Sequence, residues 1–144
     1  MVLSFLSLAF FTAQVATHDS ESRHVRLDYP PAWSVSEDVA GVTFESPGGA
    51  AIRLRWETAP SRDDFLNERR APNRQCSTRT NRNGAKAVVC VETASFRYTA
   101  RVAVSMEGGD CLFSLSARGA ANGPVLEAIL DSARPISATA TTAK

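Results

Sequence analysis

Between Val25 and Trp56 the chain alternates apolar and polar residues, stalls, and alternates again. Val25, Leu27 and Tyr29 share one side of a period-two run, with Arg26 and Asp28 on the other, which is the pattern of a half-buried strand. Pro30 and Pro31 end that ladder, because neither can donate a backbone N–H. Trp33 and Val35 start a second short strand. "SEDVAG" is a polar turn, and "VTFES" is a third strand with Val42 and Phe44 inward. "PGG" at 47–49 is turn chemistry. The run "AIRLRWE" then sets Ile52, Leu54 and Trp56 inward against Arg53, Arg55 and Glu57 outward. Alternation this strict predicts a sheet with one face wet or lightly covered.

A helix follows. Pro60 and Ser61 open it, and Ser61 with Asp64 resembles a capping box. Asp63 and Asp64 in its first turn and Arg69 and Arg70 in its last complement the helix dipole, with Phe65 and Leu66 as anchors and Pro72 as the stop. A meander comes next. "QCSTRT" and "KAVVCVE" flank "NRNGA", whose Asn83-Gly84 signals a hairpin. "FRYTARVAVSM" places Phe96, Tyr98, Ala100, Val102 and Val104 on one face and Arg97, Thr99 and Arg101 on the other. "EGGD" turns the chain, and "CLFSLSAR" returns with Phe113 and Leu115 inward. A second helix starts at "NGP", with Asn122 as its cap and Leu126, Ile129, Leu130 and Ala133 as its apolar stripe, and Pro135 stops it. The fold class is therefore α+β: an antiparallel sheet with two helices packed against it.

Residues 2–16, "VLSFLSLAFFTAQVA", are apolar and uncharged and are followed at once by polar "THDSESRH". That length suits a signal-peptide core and falls short of the ~20 residues a membrane span needs. The expected organisation is a signal peptide over 1–16, a loose segment over 17–23, one domain over 24–135 and a mobile tail over 136–144. The expected location is the periplasm or outside the cell, with no stable membrane insertion after cleavage. The remainder of the 144 residues, 44% apolar and 22% charged, is enough for one ordinary globular domain. A net charge of +1 gives no global attraction to nucleic acid.

Three cysteines, Cys76, Cys90 and Cys111, allow at most one intramolecular bridge. A three-residue loop in the hairpin places Cys76 opposite Cys90 with both on the same face. Cys111 lies near the far end of the ladder, some ~25 Å away, and it too points to the core face. A Cys76–Cys90 bridge with Cys111 free is the favoured pairing. Cys90–Cys111 is the competitor, because a slip of one residue in the hairpin breaks the argument.

The pattern "LDYPPAWSV", a turn, "GVTFESPGGAAIRLRW", a helix, a meander and "VLEAILDSAR" resembles the PsbP-like family. The matching positions are Pro30, Pro31, Trp33, Ser46, Pro47, Gly48, Leu130, Ser132 and Arg134. The resemblance covers nearly the whole mature chain through short structural motifs, and it implies an α/β/α sandwich. The family includes photosystem extrinsic subunits, nuclear GTPase-binding proteins and many exported bacterial proteins. It has no shared catalytic residues, so no active site carries over. Small periplasmic immunity proteins against secreted muramidases are similar in architecture.

No catalytic constellation or cofactor motif emerges from the residues, so no enzyme activity, metal or cofactor is expected. His18 falls in the segment read as loose and His24 beside it, without converging ligands. Asp63 and Asp64 point about 100° apart on a helix and serve its N-terminus. "MEGGD" lacks the helix and lysine of a phosphate cradle. The positive charge is more distinctive. Arg69, Arg70, Arg74, Arg79 and Arg82, with Lys86, crowd a stretch holding one glutamate, and such a cluster suits bidentate contacts to an anionic partner: an acidic protein surface, a lipid headgroup or a cell-wall carboxylate. Arg74 and Arg79 are expected to project near each other, and Arg53, Arg55, Arg97 and Arg101 add outward charge from central strands. The alternative for the cluster from Arg69 to Lys86 is a solvated rim, partly neutralised by acids from elsewhere. The expected function is a non-catalytic binding module or accessory protein. An immunity-type inhibitor of a cell-wall-degrading effector and a carrier of a small apolar ligand are the alternatives.

Overall fold

The computed structural model describes residues 14–67 and 73–136. Seven strands form one antiparallel sheet: β3 (Ser34–Glu37), β4 (Gly41–Glu45), β5 (Ala51–Glu57), β6 (Arg74–Thr80), β7 (Lys86–Glu92), β8 (Arg97–Met106) and β9 (Gly109–Arg118). Their spatial order is β3-β4-β5-β9-β8-β7-β6. A smaller sheet, in the order β1-β2-β10, joins β1 (Ala16–Ser20), β2 (Val25–Tyr29) and β10 (Arg134–Pro135). The helices among the described residues are α1 (Arg62–Leu66) and α2 (Asn122–Ser132).

The alternation read from the sequence decides which face of the large sheet is sealed. Phe44, Ile52, Leu54, Val102, Phe113 and Leu115 are buried on its inner face and meet Leu126, Ile129 and Leu130 of α2 with Val25 and Leu27 of β2. Full burial of each such side chain contributes roughly 1.5–3 kcal/mol. Among the described residues the outer face carries α1, which covers part of it and buries Phe65. Helical elements on opposite faces give the α+β sandwich that the pattern predicted.

Ordinary local chemistry ends the elements. β2 stops at Tyr29, before the proline pair. The turn after Pro47 is closed by Gly49 at φ 94°, a left-handed conformation that glycine adopts without strain. The β6–β7 hairpin pairs Thr80 with Lys86. Asn81 N–H donates to the Ala85 carbonyl at 2.8 Å, leaving a three-residue loop. This register places Cys76 opposite Cys90, and the two form a disulfide.

Five expectations are corrected. Residues 17–20, read as loose, belong to β1 and pair with β2. His18 Nε2 lies 2.8 Å from Glu37 Oε1, and the buried Ser20 hydroxyl donates to Glu37 Oε2 at 2.8 Å. These polar partners are distant in sequence, so no local pattern announces them. The first helix ends at Asn67, whose ψ of 119° is extended, and it has no basic residue in its last turn. Arg69 and Arg70 lie outside the described residues, as does the tail beyond Ile136. Phe96 is not an inward strand residue but a half-exposed turn residue at φ 50°. Asn122 is the first residue of α2 and not its cap. The bridge also lies on the outer face, since Cys90 pairs with Thr99 and Ser116 lies beyond it, whereas Cys111 shares the inner face with Phe113. Val88, Val89 and Cys90 are all buried, and a strand covered on both faces reads as one continuous apolar run that hides its phase.

Candidate functional site

Side chains on neighbouring strands that face each other in register share a face of the sheet. The pairings therefore build the outer surface row by row. Arg53 pairs with Ser116, which pairs with Thr99. One row over, Arg118 pairs with Arg97, which pairs with Glu92, which pairs with Arg74. On the other side, Arg55 pairs with Ser114, which pairs with Arg101. The outward arginines of the central strands thus fall on one face, and Arg118 joins them.

They are not equivalent. Arg101 is committed to the fold: its Nη1 donates to the Phe65 carbonyl at 3.0 Å, and its guanidinium lies 5.8 Å from the centre of the Phe65 ring. It holds α1 to the sheet. Arg53, Arg55, Arg97 and Arg118 are exposed and make no ion pair with any described residue. Glu92, opposite Arg97, accepts instead from the Ser95 hydroxyl at 3.2 Å, and Glu57, on the same face, from the Ser114 hydroxyl at 2.7 Å.

Arg53, Arg97 and Arg118 border a cleft of about 430 Å³ at the end of the sheet where α2 begins. Ala50, Ala51, Ser116, Ala117 and Asn122 line the rest of it. Small residues beside Arg118 leave the hollow, and Asn122 Nδ2 donates to the Arg118 carbonyl at 2.7 Å and fixes the rim. A second cleft of about 430 Å³ lies between α1 and the β6–β7 hairpin, with Arg62, Asp63, Thr78 and Lys86 in its wall. Its charges are mixed, and Lys86 Nζ donates to the Thr80 hydroxyl at 3.2 Å.

The arginine cluster expected from the sequence is divided by the sheet. Arg74 points to the outer side and Arg79 to the inner, because they sit an odd number of residues apart on one strand. Arg79 Nη1 lies 2.8 Å from Glu127 Oε1 of α2. Arg82 reaches Asp28 at 3.5 Å and Asp131 at 3.8 Å. Acids folded in from α2 and β2 thus neutralise both, so Arg74 and Arg79 do not converge. Arg118 and Ser116 were missed because "SLSAR" reads as the end of a strand. Only the β8–β9 register places them beside Arg97.

Among the described residues no group of three His, Cys, Asp or Glu side chains is placed to hold a metal ion. Cys111 is half-buried, and burial pushes its thiol up from its ordinary value, with Arg23 nearby acting in the opposite direction. Arg23 itself lies 5.2 Å over the Trp56 ring.

Comparison with solved structures finds the same fold in a cyanobacterial PsbP protein, CyanoP of Synechocystis sp. PCC 6803. The likeness covers 85% of this chain and 93% of that one, with a TM-score of 0.53 and 8% sequence identity. No family model matches the sequence, and no curated protein matches it. The likeness shows that the chain has a PsbP-like α+β fold.

Proposed function

We propose that this chain is an exported, non-catalytic binding module that holds a partner protein against the outer face of its large sheet. The observation that carries the proposal is the set of exposed arginines, Arg53, Arg55, Arg97 and Arg118, gathered on one face and making no ion pair with a described residue. Arginine presents a planar fork suited to carboxylates, and such complementarity guides association and orientation. The opposite face is closed by α2 and the small sheet. Its space is filled by fully buried Phe44, Phe113, Leu115, Leu126 and Ile129, which favours a surface partner over carriage of an apolar ligand within. Export is supported by the disulfide and by the apolar N-terminal stretch. No helix among the described residues is long and apolar enough to cross a membrane.

The test is retention of a partner from a cell-envelope extract on the immobilised protein at low and high salt. One protein should be retained in a salt-sensitive way, and Arg55→Glu with Arg97→Glu should abolish its retention. Retention of nothing, or of the same partner undiminished by charge reversal, overturns the proposal.

A further inference from the structure

We propose that the cleft bounded by Arg53, Arg97 and Arg118 is a carboxylate-recognition site for an acidic segment of a protein partner, with Phe96 as the apolar anchor at its rim. This inference rests on the reading of the outer face as a docking surface and places the contact within it.

Three observations converge on this cleft. Arg97 and Arg118 are direct cross-strand partners, and like charges directly opposite one another destabilise a sheet. Glu92 stands opposite Arg97 on its other side, yet neither arginine makes an ion pair with a described residue. A carboxylate between them would relieve that repulsion by accepting N–H bonds from both guanidinium groups. Arg53 flanks the same hollow from β5, and the Ser116 hydroxyl lies within it. The third observation is Phe96. It is 50% exposed and holds a left-handed φ of 50°, a conformation that costs a non-glycine residue about 1 kcal/mol or more. Its carbonyl accepts from Gly119 N–H at 2.9 Å, which ties its backbone to the residue after Arg118, while in sequence it directly precedes Arg97. A half-exposed aromatic residue whose backbone is fixed between the segments carrying two arginines has the composition of an interface anchor.

The surroundings select the kind of anion. Glu92 pairs with Arg97 on the side away from Arg118, and Glu45 pairs with Ala51 at the other margin of the cleft. These acids flank the arginine cleft on two sides. A duplex or a lipid surface would lay further phosphates over them, whereas a short run of one or two carboxylates followed by an apolar side chain fits the available charge.

The experiment is fluorescence anisotropy with a labelled peptide carrying an Asp-Glu pair followed by Leu, and with its Asn-Gln counterpart, against the whole exported chain. The acidic peptide should bind, the amide peptide should not, and Arg97→Gln with Arg118→Gln should weaken binding about tenfold or more. Phe96→Ser should weaken it to a lesser extent. Arg118→Gln alone should leave the thermal midpoint unchanged or raised, which distinguishes lost recognition from lost folding. Arg55 stands on the same face outside the cleft. If Arg55→Gln weakens the peptide as much as the double cleft variant does, or if the cleft variants have no effect, this inference is overturned while the docking face stands. Failure of the peptide to bind, with a partner still retained from extract, has the same meaning. Tighter binding of a single-stranded oligonucleotide than of the peptide also overturns it.

Discussion

Asn81, in the β6–β7 turn, donates through Nδ2 to the Leu130 carbonyl of α2 at 3.0 Å. The same nitrogen donates to the Ala133 carbonyl at 2.9 Å, while Oδ1 accepts from the N–H groups of Asn83 at 2.9 Å and Ala85 at 2.8 Å. One buried amide therefore caps the end of the helix and shapes the hairpin. Asn81→Ala should cost about 3 kcal/mol, since it leaves buried carbonyl and N–H groups without partners. Asn81→Asp should also destabilise, because a carboxylate oxygen would then face two carbonyl oxygens. Urea denaturation of the two variants checks both.

The disulfide closes a loop with a sequence separation of 14. Replacing Cys76 and Cys90 with serine should cost about 3 kcal/mol by the chain-entropy argument. The loss should be concentrated in β6, whose residues from Gln75 to Thr80 are all exposed and contribute little burial. Hydrogen exchange should show β6 amides losing protection before those of β8.

Asp19 accepts from Arg26 Nε at 2.6 Å and from Nη2 at 2.9 Å. That hydrogen-bonded pair, more than its charge attraction, holds the carboxyl below its usual range. A lowered folded value gives stability that is present above the unfolded value of about 3.9 and is lost as pH falls through the folded one. The stability difference between the protein and Asp19→Asn should therefore shrink as the solution is acidified through that window. A difference independent of pH would exclude the linkage.

Burial raises the Cys111 thiol, and Arg23 partly opposes it. Iodoacetamide should modify Cys111 more slowly at neutral pH than it does an unstructured thiol of about 8.5. Arg23→Ala should slow it further. Mass spectrometry under non-reducing conditions reads the rate at the one cysteine outside the bridge.

Gly41 pairs with Arg55 at the start of β4, and a Cβ there would run into the Leu54 carbonyl oxygen. Relief requires moving a central ladder. Gly41→Ala should cost more than about 2 kcal/mol and lower the yield of folded protein, measured by thermal unfolding.

The regularities legible in the sequence are those with a short period. β5 alternates over Ala51–Glu57 with one face set against the core, so both its extent and its phase were readable. The stripe of α2 was readable for the same reason, and the Asn83-Gly84 pair announced the hairpin, while the register that joins Cys76 to Cys90 stayed open to a slip of one residue. Other features depend on partners far along the chain. β1 is held by Glu37 and β2, and its own residues, "ATHDS", carry no strand pattern. The division of Arg74 from Arg79 follows from parity along β6, which composition does not reveal. The candidate cleft was half readable: the outward phase of Arg53 and Arg97 was, but the meeting of Arg118 with Arg97 needed the pairing of two ten-residue strands.

The small sheet has a temporal consequence. Its middle strand takes one neighbour from each end of the domain, with Arg26 opposite Arg134 and the Ile136 N–H donating to the His24 carbonyl at 2.9 Å. No fragment lacking the last residues can complete it. A chain delivered amino end first would thus leave β2 with an open edge until Arg134 and Pro135 arrive to close the ring of contacts.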